Sequence, residues 1–68
     1  MTYNRVRVMQ GFLHGAERLR RASTTITDVA LAQACADKAR VCLGYYAQMQ
    51  AEPDYWPPKE ELDKAIRS

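Results

Sequence analysis

The chain predicts an all-α fold: an antiparallel helical hairpin with a short C-terminal third helix, completed by homo-oligomerisation. Three observations carry this. The stretch from Thr25 to Glu52 has no proline, one glycine (Gly44) and many alanines. The stretch before it, Asn4 to Ala22, places its apolar residues at helical spacing. After Pro53, a segment ending in Pro57 and Pro58 leads into one more apolar stripe at Leu62, Ala65 and Ile66.

The first helix is expected from about Asn4 to Ala22, with Asn4 as N-cap. Val6, Met9, Phe12, Leu13, Ala16 and Leu19 fall on one face, and Arg7, Gln10, His14, Glu17, Arg18 and Arg21 on the other. Arg5-Val6-Arg7-Val8 alternates and would also suit an extended start, but the later apolar positions line up only as a helix. Gly11 and Gly15 each cost a helix about 1 kcal/mol against alanine. Their spacing offers close packing against the small residues of the long helix.

Ser23 to Asp28 reads as a connector and a helix start. Thr25 and Asp28 have the spacing of a capping box, and Thr27 competes as cap. So short a connection returns the second helix antiparallel to the first.

The second helix, Thr25 to Glu52, makes about seven turns at 3.6 residues per turn. Leu31, Cys35, Cys42 and Met49 cluster on it, flanked by Ala34 and Tyr45 on one side and Ala32, Ala39 and Tyr46 on the other. Val29, Ala36, Leu43 and Ala47 form a second apolar strip. Lys38 interrupts the main stripe, and the polar sector is only Gln33, Asp37, Arg40 and Gln48. A surface this wide predicts a seam between copies, built on Leu31, Cys35, Ala39, Cys42, Tyr46 and Met49. Periodicity leaves open which strip packs within the chain and which between chains.

Pro53 ends the long helix and Asp54 to Pro58 is a turn segment. A third helix then runs from Pro58 to Arg67, with Glu60 and Glu61 suited to its positive end. Alone it is too short to hold, so it must dock.

At 68 residues the chain is one domain, 1–68. Such a chain buries only about 60% of its unfolded surface, which is the reason to expect self-association. Its 47% hydrophobic and 26% charged residues exclude disorder. The net charge of +2 is unevenly placed: residues 1–22 hold five arginines against Glu17, and residues 23–68 hold five basic against seven acidic side chains. Basic and acidic ends can pair between copies, or the basic end can meet an anionic partner. No segment approaches the roughly 18 apolar residues of a membrane span, and no cleavage site follows the N-terminal apolar residues. A cytoplasmic protein without membrane association is expected.

His14 stands alone, without ligands at zinc spacing. Cys35 and Cys42 are seven residues apart on one helix, about 10 Å, beyond the roughly 7 Å a disulfide spans. They read as small core residues. No nucleophile elbow, phosphate loop or metal-protease motif occurs. Neither catalytic residues, nor a metal, nor a cofactor is therefore expected. The serine- and threonine-rich connector and alanine-rich second helix do not make a helix-turn-helix.

Five residues are candidates for binding. Arg18, Arg20 and Arg21 cluster near the end of the first helix, as favourable charge there or as guanidinium forks for phosphate or carboxylate. Tyr55 and Trp56, beside two prolines, have the character of an interface hot spot. The leading expectation is a small non-enzymatic protein-interaction module, a regulator or inhibitor of a larger macromolecule, that also binds itself. The alternative is a binder of an anionic ligand, a nucleotide or nucleic acid, held by arginines and stacked on tyrosines across a subunit boundary.

Overall fold

Asn4 caps the first helix as expected: its side-chain oxygen accepts the Arg7 backbone N–H at 3.1 Å. In the computed structural model, which describes residues 3–67 and leaves Met1, Thr2 and Ser68 of the expected 1–68 domain outside the described residues, every regular element is helical. They are α1 (Arg5–Thr25), α2 (Val29–Ala51) and α3 (Lys59–Arg67). The start of α1 is helical, not extended.

The hairpin turn lies further along than the capping pattern placed it. The Ser23, Thr24 and Thr25 hydroxyls donate to the carbonyls of Arg20, Arg21 and Ala22, and Ile26 N–H closes on Ala22. These bonds satisfy the last turn of α1, so the residues read as a connector continue the helix. Asp28, not Thr25, is the N-cap of α2, and its carboxylate accepts the Leu31 N–H at 3.1 Å. The connection is therefore Ile26-Thr27-Asp28, and α2 starts four residues later than expected. At the other end α2 stops at Ala51, with Glu52 as C-cap before Pro53. The carbonyl of Pro58 receives Glu61 and Leu62 N–H, opening α3 one residue after the proline.

Both α2 and α3 pack on α1, and their backbones stay apart on either side of it. This changes which face of α1 is buried. Val8, Gly11, Phe12 and Ala16 are enclosed, whereas Val6, assigned to the core by a single-stripe reading, is 65% exposed. Two neighbours cover a wider arc than one, and the arc shifts toward the glycine edge. Gly11 provides close approach, but to α3 rather than to the long helix: a methyl group there would overlap the backbone of Ala65.

Val8, Phe12, Met49, Leu62 and Ala65 form the core cluster, with Tyr3, Met9, Cys42, Tyr45, Tyr46 and Tyr55 around it. The Phe12 and Tyr45 rings meet with centroids 5.4 Å apart, tilted by 35°. Most of this cluster lies at the end of the hairpin that α3 covers. Toward the turn, Ala16 and Ala39 are the buried residues, and Leu31 and Val29 are 54% and 82% exposed.

Candidate binding groove

The stripe expected to join two copies divides in the structure. Ala39 and Met49 are each 2% exposed within the single chain, so neither offers surface to another copy. Cys35, Cys42 and Tyr46 are half-buried on the same inward side, and only Leu31 stands out. The seam read from the periodicity is mostly the contact of α2 with its own α1. Ala39, one of the alanines that would admit a second chain, packs within the chain instead, whereas Ala34 and Ala47 stay exposed. The second strip is the more open one: Ala36 and Leu43 are half-buried, and Val29 and Ala47 are exposed.

The five binding candidates do not converge either. Tyr55 and Trp56 lie at the α3-covered end, where Arg5 engages both. Its guanidinium donates to the carbonyls of Tyr55, Met49 and Glu52, each at 2.9 Å, and lies 5.0 Å over the Trp56 ring. Arg5 is thereby a side-chain cap for the last carbonyls of α2. Arg7 does the same for α3, donating to Ile66 O at 2.7 Å, and the Tyr3 hydroxyl donates to Asp63 at 2.7 Å. That hydrogen bond, with some burial, pushes the Tyr3 phenol above 10.0. Tyr55 and Trp56 are thus structural partners of Arg5 before anything else, although Trp56 remains 42% exposed.

Neither Arg5 nor Arg7 stood among the candidates. One signal was available for them. Two arginines in the first turn of a helix oppose its dipole, which implies that they serve carbonyls elsewhere.

Arg18, Arg20 and Arg21 sit roughly 20 Å further along α1, at 1.5 Å per residue from Arg5 to Arg18. The last turn of α1 holds no basic residue, so hydroxyls rather than arginines close that end. The three arginines point into two different cavities. Arg20 and Arg21 join Arg40, Ser23, Thr24, Ala36, Ala39 and Leu43 around about 550 Å³ on one face of the hairpin. Arg40 there pairs with Asp37 at 3.4 Å.

Arg18 belongs to the opposite face. There a groove of about 520 Å³ runs along α1 between α2 and α3. Its floor is Gly11, Phe12, Gly15, Leu19 and Ala22 of α1, with Cys42 and Ala65 on the walls. The rim carries Arg18, Lys38 and Lys64 against the single carboxylate of Glu61, which pairs with Lys64 at 3.8 Å. Burial, then the charge of Glu61, pushes the Cys42 thiol above 9.0 against the opposing pull of Lys38 and Lys64. Cys42 is therefore a neutral, weakly polar wall residue at physiological pH. The groove combines a smooth apolar bed with a cationic edge.

His14 is exposed on α1, and both cysteines are free thiols. Among the described residues no cluster of three metal-ligating side chains forms, and no helix is long and apolar enough to cross a membrane. Comparison of the chain with protein-family models, with curated proteins and with solved structures found no match.

Proposed function

We propose that this chain is a small non-enzymatic protein-interaction module, of the regulator or inhibitor kind, that holds a larger partner in the groove between α2 and α3. The observation that carries the proposal is the groove itself. A bed made of Phe12, Gly15, Leu19 and Cys42 has the apolar character by which proteins seat a segment of another protein. The test is selection of helical peptides from a displayed library against the immobilised chain, repeated with Ala22→Trp, which fills the groove from its floor. The expected result is a set of binders whose affinity collapses on Ala22→Trp while the helical circular dichroism is kept. Binders indifferent to that substitution would remove the groove from the proposal.

Self-association is the second part of the proposal, moved to a different surface. Val29, the most exposed large apolar residue of α2, begins the strip that runs through Ala36 and Leu43 to Ala47, and this strip is the surface that two copies would share. Light scattering over a concentration series is expected to show a species of twice the 7.8 kDa chain mass. A constant 7.8 kDa at every concentration would withdraw it.

A second reading, anion binding, is favoured by the grouping of Arg20, Arg21 and Arg40 around one cavity. Nucleotide stacking on Tyr55 in the same chain is not favoured, given the separation along α1. Titration with pyrophosphate at two salt levels, with Arg20→Ala and Arg21→Ala, tests this reading.

A further inference from the structure

The groove on α1 is the surface where shape, length and charge agree on one kind of occupant. Building on the reading of this groove as the binding face, we propose that it seats about two turns of an acidic amphipathic helix supplied by a different protein.

Shape and length come first. α2 and α3 cover α1 from two sides with their backbones apart. The space left between them is where a bundle places a fourth helix. Along its floor Gly15 and Ala22 share one face of α1 past Gly11, whose surface the Ala65 backbone of α3 already covers, and at these small residues a second helix backbone can come close. From Gly15 to Ala22 the open floor is about 11 Å long at 1.5 Å per residue, the rise of two helical turns. A strand would leave its unpaired backbone groups against this bed, whereas a helix satisfies its own.

Charge then decides whose helix it is. Arg18, Lys38 and Lys64 line the rim with Glu61, and because Glu61 pairs with Lys64 the rim's cationic character rests on Arg18 and Lys38. No helix of this chain complements that rim. α1 carries five arginines against Glu17, α2 carries Lys38 and Arg40 against Asp37, and α3 balances three cations with three anions. A second copy would therefore bring a neutral or basic helix to a basic edge. A foreign helix with glutamate or aspartate beside its apolar stripe matches both the bed and the rim.

The experiment uses the whole chain and two synthetic helical peptides of about twelve residues, which span the floor with a turn to spare. They share leucines at alternating spacings of three and four and differ only in carrying glutamate or lysine on the flanking positions. Binding is read by anisotropy of a label on the peptide, and its place by the amide shifts of Gly11 and Gly15. The glutamate peptide is expected to bind about tenfold more tightly than the lysine peptide, and the gap to shrink at high salt. Arg18→Glu with Lys38→Glu, both at exposed positions, is expected to reverse the preference with the helical signal unchanged.

Equal affinity of the two peptides, seated at Gly11 and Gly15, overturns the acidic occupant and leaves the groove as binding face. Preference for the lysine peptide overturns it likewise. If neither peptide shifts Gly11 or Gly15, both readings fall. If those amides shift with the concentration of the chain alone, the occupant is a second copy and the foreign helix is overturned.

Discussion

At the end of the hairpin that α3 covers, Val8, Phe12, Met49 and Leu62 interlock, and Arg5, Arg7 and Tyr3 tie the ends of the other two helices to α1. Toward the turn, the last buried residues are Ala16 and Ala39 at the middle of the two helices, and beyond them Val29 and Leu31 face solvent. Both ends belong to the same two helices, so helix formation does not separate them. The size of the side chains between the helices does. Large residues bury enough apolar area to hold structure, while alanines allow close approach but contribute little area each. Stability is therefore concentrated at the covered end. The groove begins there, at Phe12 and Gly11, and runs toward the end where packing is thin.

The contrast breaks most sharply at Phe12. Phe12→Ala removes a ring buried against Tyr45 and Met49 and is expected to cost about 3–5 kcal/mol, most of the stability of so small a chain. The matched change at the turn end, Leu31→Ala, removes an exposed side chain and is expected to cost under about 0.5 kcal/mol. Urea unfolding followed by circular dichroism measures both. Equal losses would mean that the turn end is as well packed in solution as the covered end.

A smaller effect comes from one substitution made at two glycines. Gly11→Ala sets a methyl group against the Ala65 carbonyl, and the overpacking, up to about 3 kcal/mol, outweighs the roughly 1 kcal/mol gained in helix propensity. Gly44→Ala meets nothing and is expected to stabilise by about 0.5–1 kcal/mol. Opposite signs in thermal unfolding would place the close contact at α3. A stabilised Gly11→Ala would show that α3 does not dock there.

At Arg5, a polar contact at the covered end gives an effect of similar size to the net loss at Gly11. Arg5→Ala removes three hydrogen bonds to the end of α2 and the contact with Trp56, a loss of about 1–2 kcal/mol at this partly exposed site. Arg5→Lys is expected to recover only part of it, because an ammonium group lacks the fork that reaches several carbonyls. Trp56 fluorescence reports the lost contact directly. Full rescue by lysine would reduce the role of Arg5 to charge alone.

Much of this architecture is legible along the chain. Asn4, Pro53 and Pro58 mark helix ends through groups that act on their own neighbours, and the structure places ends at or beside all three. The turn was misplaced because hydroxyl residues can end a helix or extend it, and Ser23 to Thr25 extend it. The groove was less legible. Arg18 was singled out from it, but Lys38, Glu61 and Lys64 lie on other helices and meet Arg18 only once those helices dock. The scatter of Tyr55 and Trp56 away from the arginines has the same origin.

The sequence by itself determined three helices, a hairpin and the docking of a short tail, because periodicity, caps and prolines act over a few residues. Tertiary structure decided which apolar stripe α2 turns inward, which helix Gly11 approaches, and that the gap between α2 and α3 over α1 is a cationic-rimmed groove. Those outcomes depend on contacts between residues 40 to 60 positions apart, such as Arg5 with Met49 and Tyr3 with Asp63. A wide alanine-rich surface accepts several neighbours about equally well, and only the assembled packing selects one.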